Sequence, residues 1–576
     1  MSQVDIEQSV RAQLTAPGAP FETVVEPVLG VPMRVFKNRA RSLRELLIDS
    51  AKHGDAEYLV DRAERISYAE HLRRATSLAR ILHDEYGVRK GDRVAIYAAN
   101  CAEWAVSFWA TVSLGGIVSA MNGWWTAHEF AHAMDLCEPR LLIGDAKRLE
   151  RVRSVKTGTP IVAIEADFPS MTSARSRAEL PEVPISEDDP ALILFTSGTT
   201  GRSKGAVNSH RSLCGFVQSS LYSGAVAALT STQKRESTGA PPSAPPRQTV
   251  LVTSPMFHLS MLHGTVVMQM VLGGRLVIMR DRFDPENTLQ TIERERVTLW
   301  PALGSAAPRV AAHPDLQKYD LSSIESIGIG GAPVSPSVQD ALRKAFPSAA
   351  LGLRMGYTSS EAVGIVAGIG GTEFQENPTS TGRIVDGIEV EIRDEAGRSV
   401  PDGVEGEIHV RSPYIMLEYW RNREATSATI KPGRWLAMGD IGRIEGGRLY
   451  INSRARDMIL VNAENVYPIE VEYRLDAHPG VVESAVVPAP DPLTGQAVKA
   501  VVVVGAGAPP SENDLESWCR ESLAPYKVPT RWECRREPLP RNPSGKVLKG
   551  LLLGRDENRF EGGAAPARSG TSEKSK

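Results

Sequence analysis

FTSGTTGRSKG, at residues 195–205, follows directly on an apolar stretch and joins hydroxyls, glycines and a single lysine. Glycines let backbone N–H groups approach an anion closely, the Thr and Ser hydroxyls add donors, and Lys204 adds charge. The stretch therefore reads as a loop that grips phosphate. It departs from the ordinary P-loop, because no glycine stands five positions before a Gly-Lys-Ser/Thr ending. The plainer reading of such a cluster is a polar turn between a strand and a helix. The number of donors beside a lysine favours phosphate.

Outward from this loop, short apolar runs alternate with helical stretches. Strand candidates lie at residues 92–98, 141–144, 161–164, 191–196, 249–253, 275–279, 298–300 and 324–330. This is an α/β pattern, and it predicts a large N-terminal domain of mostly parallel sheets. Ligands collect at the carboxyl ends of strands in such sheets, which is where the 195–205 loop falls. Beyond residue 382 short turn-bounded strands at 390–393, 406–410 and 448–451 indicate a β-rich subdomain. A helix over 468–475, strands over 484–488 and 497–504, and a helix over 515–523 then form a smaller, mobile α+β C-terminal domain. The expected boundaries are an N-terminal extension over 1–40, the large domain over 41–452, the small one over 453–555, and a disordered tail over 556–576. An insert over 230–247, rich in Ser, Thr, Ala and Pro, is expected to lack fixed structure.

The chain has 576 residues, room for roughly four folding units, or fewer if one is large. Its formal net charge of -3 shows no basic excess, so nucleic acid is not expected as a partner. Five scattered cysteines, with no CxxC pair, argue against a disulfide framework and for a reducing cytoplasm. The N-terminus, MSQVDIEQSVRAQL, lacks the basic start and apolar core of a signal peptide. Residues 248–274 carry no Lys, Arg, Asp or Glu, but Pro255, His258, His263 and Gly264 interrupt them. Buried strand and helix fit that stretch better than an integral membrane segment.

Six further patches follow in order: SPMFH at 254–258, GGAP at 330–333, GYTSSE at 356–361, WLAMGDIG at 435–442, the run from SRARDMI to ENVYP at 453–468, and PRNPSGK at 540–546. With the 195–205 loop, this series resembles the ATP-dependent adenylate-forming superfamily, which includes acyl-CoA synthetases, firefly-type luciferases and peptide-synthetase adenylation domains. The resemblance covers about residues 42–553, and ENVYP with PRNPSGK points to acyl-CoA synthetases of the carboxylic-acid ligase type. It implies that ATP converts an acid to acyl-AMP with loss of pyrophosphate. CoA then displaces AMP, while the small domain swings between the two steps.

The resemblance also assigns roles. Thr196, Ser197, Gly198, Thr199, Thr200, Gly201 and Lys204 would wrap the β and γ phosphates of ATP. Gly331, Ala332 and Pro333 would form a floor under the adenine, and Tyr357 would stack on it. Ser360 would touch the α-phosphate, and Glu361 would ligate Mg2+, a hard oxygen-preferring cation. Asp440 would accept from the ribose hydroxyls with Arg454 assisting. Lys546 would be catalytic, bridging the attacking carboxylate and the α-phosphate. His258 would stand at the mouth of the acyl pocket. Gly304 lies in PALGSAA at 301–307, whose small side chains leave room for a long or bulky hydrophobic acid. Taken singly, these residues read as a turn, a core tyrosine, a turn-forming aspartate, a loop lysine and a structural histidine.

Some positions depart from the pattern: Ser360 and Met438 where threonine is common, Thr358 where glycine is common, Ser453 at the hinge, and Ala463 near the pantetheine tunnel. The sequence leaves open the acid, the acceptor and the oligomeric state. Rival readings are a ligase that loads the phosphopantetheine of a carrier protein, a luciferase-like oxygenase, and a non-catalytic nucleotide-binding or scaffolding protein. The last would need degraded catalytic groups, yet Lys204, Glu361, Asp440, Arg454 and Lys546 are all present.

Overall fold

A computed structural model of the chain describes residues 3–175, 178–196, 203–236, 247–280, 283–331, 334–454, 457–461, 464–491, 495–505, 507–542 and 545–554. The first sheet runs in the order Lys204–Ser209, Pro190–Thr196, Ile117–Ala120, Arg93–Tyr97, Leu141–Gly144 and Ile161–Ala163. All its pairs are parallel except the edge pair of Lys204–Ser209 with Pro190–Thr196. Its central strands are mostly apolar because both faces are covered; Leu141–Gly144 is buried at every position.

A second sheet has a parallel run, in spatial order Glu57–Asp61, Arg275–Ile278, Thr249–Val252, Leu299–Pro301, Ser326–Ile329 and Leu353–Tyr357. From Leu353–Tyr357 the sheet continues antiparallel through Ala367–Gly370, Gly382–Ile384, Arg448–Arg454, Trp435–Glu445, Gly406–Arg411 and Glu389–Arg393. The expected β-rich subdomain is thus an extension of the same sheet. Helix Ala102–Ser113 is buried at every position except Glu103, with Trp104, Phe108 and Trp109 in the main core. A helix this largely apolar has to be covered on nearly every side, and Glu103, its one residue outside the buried set, pairs with Arg280.

The small domain has its own core on a sheet ordered Glu464–Val466, Ile459–Val461, Gly495–Val504 and Val481–Asp491, with Arg531–Arg535 parallel to Gly495–Val504. Helices Pro468–Asp476 and Glu512–Arg520 pack on it.

Two features depart from expectation, and a third, the structure of the N-terminal extension, carried no expectation. The phosphate-loop strand pairs antiparallel with Lys204–Ser209 beyond the loop, and the next helix begins only at His210. That helix, His210–Glu236, extends into the stretch read as an unstructured insert, because no proline interrupts it before residue 241. The remainder of the insert, 237–246, lies outside the described residues. The N-terminal extension is folded: helix Gln3–Thr15 and the hairpin Thr23–Val28/Val31–Phe36 bury Val10, Leu14 and Phe36 against Tyr222 and Val226 of the long helix. The part His210–Thr232 is long and apolar enough to cross a membrane, but half of it is buried in this packing.

Candidate active site

Four of the motif segments leave the carboxyl ends of neighbouring parallel strands. His258 follows Thr249–Val252, Gly304 follows Leu299–Pro301, Gly331 follows Ser326–Ile329, and Tyr357 ends Leu353–Tyr357. Adjacent strands with their ends on one side bring residues a hundred positions apart to one rim.

At that rim the Tyr357 hydroxyl donates to Asp440 Oδ2 at 2.5 Å. Asp440 is 4% exposed, and it sits opposite Arg454 in the pairing of Trp435–Glu445 with Arg448–Arg454. Three of the residues assigned to the nucleotide are therefore neighbours in the fold.

A second group forms around Glu361. The Tyr419 hydroxyl donates to Glu361 Oε1 at 2.7 Å, and the Met416 N–H donates to the Glu361 carbonyl at 2.7 Å. The same Tyr419 ring has Lys204 Nζ 5.2 Å from its centroid. Residues 417–420 run beside the Lys204–Ser209 strand. The Leu417 N–H donates to the Val207 carbonyl at 2.8 Å, the Val207 N–H to the Glu418 carbonyl at 2.9 Å, and the Trp420 N–H to the Gly205 carbonyl at 2.7 Å. Thr196 pairs with Lys204 across the two strands. Asn208 Nδ2 donates to the Ser360 carbonyl at 3.2 Å, linking that strand to the Thr358–Glu361 turn. Two residues past this turn Val363 holds φ 65°, a costly conformation for a β-branched residue, and strain of this kind collects at functional sites.

The third group comes from the small domain. Asn542 N–H donates to the Lys546 carbonyl at 2.9 Å, and Lys546 N–H donates to Asn542 Oδ1 at 2.9 Å, closing a tight loop. Arg541 steadies it, donating to the Gly545 carbonyl at 2.7 Å and pairing with Glu483. Gly545, at φ 82°, lies against the large lobe: a Cβ there would stand 2.7 Å from Gly304 Cα. Only a bare backbone fits this contact, and it carries Lys546 to the rim.

On the acyl side, His258 packs 4.6 Å from the Phe257 ring, and its buried Nε2 has no partner among the described residues. Desolvation pulls its pKa down to about 4, so the ring is neutral. The π-helical turn Leu262–Val267 follows, and π turns recur at functional sites. It sets His263 against Phe216, at 5.5 Å, and against the Val363 carbonyl. A Cβ added at Gly264 or at Gly364 would meet nothing within 4 Å among the described residues.

Ser197, Gly198, Thr199, Thr200, Gly201, Ala332, Pro333 and Ala463 lie outside the described residues, as do the side chains of Ser453 and Arg454. The sequence reading missed Tyr419, Asn208 and the role of residues 417–420. Nothing in the local patterns of KGAVNS or YIMLEYWRN marks them; only the pairing of the two stretches does. Among the described residues no cluster of three or more His, Cys, Asp or Glu could hold a metal ion.

A two-lobed α/β protein with its motif residues gathered at its strand ends and a lysine loop reaching over from the second lobe has the architecture of an adenylate-forming enzyme. Residues 48–420 match the AMP-binding enzyme family, and 470–546 match the AMP-binding enzyme C-terminal domain. Feruloyl-CoA synthase of Amycolatopsis sp is 33% identical over 486 residues, 84% of this chain and 93% of that one. Long-chain-fatty-acid–CoA ligase of Bacillus subtilis (strain 168) is 30% identical over 555 residues, 89% of this chain and 94% of that one. Among solved structures, ATP-bound MatB from Rhodopseudomonas palustris aligns with a TM-score of 0.76 at 28% identity, over 89% of this chain and 99% of that one. The amide bond synthetase McbA from Marinactinospora thermotolerans aligns with a TM-score of 0.74 at 27% identity, over 89% and 99%. The chain belongs to the AMP-binding enzyme family, among the acyl-CoA synthetases of the adenylate-forming superfamily, and is an ATP-binding, AMP-forming acid–thiol ligase.

Proposed function

We propose that this enzyme makes the CoA thioester of a bulky or long hydrophobic carboxylic acid. A carboxylate oxygen attacks the α-phosphorus of ATP and pyrophosphate leaves, giving acyl-AMP. The CoA thiolate then attacks the acyl carbon and AMP leaves. Positioning and charge stabilisation are the protein's main contributions to such substitutions.

The observation that carries this reading is the docking of Gly545 on Gly304, which sets Lys546 beside the strand ends. Lys546 then bridges the acid carboxylate and the α-phosphate as charge shifts between them. Lys204, Thr196 and the 197–201 loop hold the β and γ phosphates. Ser360 meets the α-phosphate, Gly331–Pro333 and Tyr357 bracket the adenine, and Asp440 with Arg454 takes the ribose. Glu361 is a single carboxylate next to the phosphates, which suits Mg2+, an ion usually bound by one or two carboxylates together with substrate phosphates. When bound, Mg2+ would offset phosphate charge.

For the acid, the unfilled space at Gly264 and Gly364, the glycine at 304 and the neutral His258 support a roomy apolar pocket. Relatives named for ferulate and for long-chain fatty acids are compatible with both bulky and long acids. The lobes divide near Ser453. All five cysteines are free, which suits a reducing cytoplasm.

The test offers the purified enzyme ATP, Mg2+ and CoA with acetate, octanoate, palmitate, benzoate, ferulate and a steroid-side-chain acid, and follows AMP release and thioester mass. Palmitate, ferulate or the steroid acid should lead. Acetate leading would overturn the pocket reading, and AMP release without thioester would overturn CoA as acceptor.

A further inference from the structure

We propose that Tyr419 is a positioning residue which sets the metal-binding carboxylate and the phosphate-gripping lysine from one side chain. This rests on the roles given above to Glu361 and Lys204. The tyrosine is 7% exposed and touches both groups: its hydroxyl donates to Glu361 Oε1 at 2.7 Å, and its ring lies 5.2 Å from Lys204 Nζ.

The chemistry of each contact is distinct. A carboxylate has two oxygens and about four acceptor sites. A hydroxyl fixed on Oε1 restricts rotation of the carboxylate and leaves Oε2 free to face a cation. The ring face carries negative quadrupole charge, which attracts an ammonium and keeps it near the site before phosphate arrives. The ring is itself placed by the strand that bears Lys204, through the backbone bonds of Leu417, Glu418 and Trp420 to Val207 and Gly205. The Met416 N–H bond to the Glu361 carbonyl anchors the other side. A shift of Lys204–Ser209 therefore moves the lysine, the tyrosine and the carboxylate together, so that triphosphate and metal are read as one unit.

Two variants separate the contacts. Tyr419→Phe keeps the ring and removes the hydroxyl; Tyr419→Leu removes both. With Mn2+ as a spin probe in the presence of ATP, Tyr419→Phe should weaken metal binding about 10-fold, the scale of one hydrogen bond to a charged group. ATP binding without metal, measured by calorimetry, should stay within about 2-fold for Phe and fall about 3- to 10-fold for Leu, the scale of a cation–π contact. Unchanged Mn2+ affinity in Tyr419→Phe would overturn the proposal. So would equal losses of metal and metal-free ATP binding in Tyr419→Phe together with a lowered thermal midpoint, since a purely structural role gives that pattern. If Tyr419→Leu does not fold, the Phe variant decides alone. Glu361→Gln distinguishes the levels: if it leaves Mn2+ affinity intact, the metal role of Glu361 is wrong, whereas loss there with an unaffected Tyr419→Phe overturns only the role of Tyr419.

Discussion

The Tyr357 hydroxyl and the Asp440 carboxylate meet at 2.5 Å across 83 positions of sequence, joining the last parallel strand of the large sheet to its antiparallel extension. In the proposed roles, this bond would hold the adenine platform and the ribose acceptor in one arrangement. A hydrogen bond to a charged group contributes about 1.5–3 kcal/mol. Tyr357→Phe should lower folding stability on that order, read as a denaturant midpoint, yet hold ATP affinity within about 3-fold because the ring face remains. Tyr357→Ala should weaken ATP clearly more. Equal affinities in the two variants would refute stacking.

The contact of Gly545 with Gly304 makes a prediction about the first half-reaction alone. Lys546→Ala should abolish acid-dependent pyrophosphate exchange and leave ATP binding largely intact. Gly545→Ala adds a methyl 2.7 Å from Gly304 Cα at φ 82°, so the loop has to withdraw. Left-handed backbone costs a non-glycine residue about 1–2 kcal/mol before the clash is counted, and exchange should fall at least 10-fold. Normal exchange by the alanine variant would show that the two glycines need not touch.

Four histidines with desolvated rings set an acid limit. Desolvation lowers His71 to about 3 and His210, His258 and His263 to about 4. Their folded values lie below the unfolded one, so the unfolded chain takes up protons first as pH falls. Stability should be complete above about pH 6.5 and decline toward pH 4, by at most roughly 2 kcal/mol per histidine at pH 5. A thermal midpoint equal at pH 7 and pH 5 would contradict this.

Asp476 acts in the opposite sense. Its carbonyl accepts from Ser337 Oγ of the large lobe at 3.1 Å, and its carboxylate accepts from Ser484 Oγ at 2.7 Å. Desolvation, with repulsion from Glu472 and Glu483, pushes its pKa up from 3.8 to about 7. The folded state therefore keeps a proton that the unfolded chain releases, and stability falls as pH rises from about 4 to 7, by at most roughly 4 kcal/mol. Asp476→Asn removes this cost. Its advantage in thermal midpoint over the natural chain should grow from pH 4 to pH 8; a constant difference would refute the assignment.

Strand positions and motif residues were legible in the sequence. Leu141–Gly144 and Pro190–Thr196 fall where unbroken apolar runs placed them, since a strand buried on both faces needs no partner to be recognised. Tyr357, Asp440 and Lys546 stood out within motifs that local residues define. The antiparallel pairing of Pro190–Thr196 with Lys204–Ser209, the helix continuing to Glu236 and the folded N-terminal extension were not legible, because each depends on pairing or packing with distant chain. Tyr419 is the clearest instance: its bond to Glu361 spans 58 positions, and no local pattern encodes it. Sequence alone determined which chemistry the chain carries, because motifs record the residue types a reaction needs. Tertiary structure decided which side chains hold those residues in place, because that depends on strands far apart in the chain lying side by side.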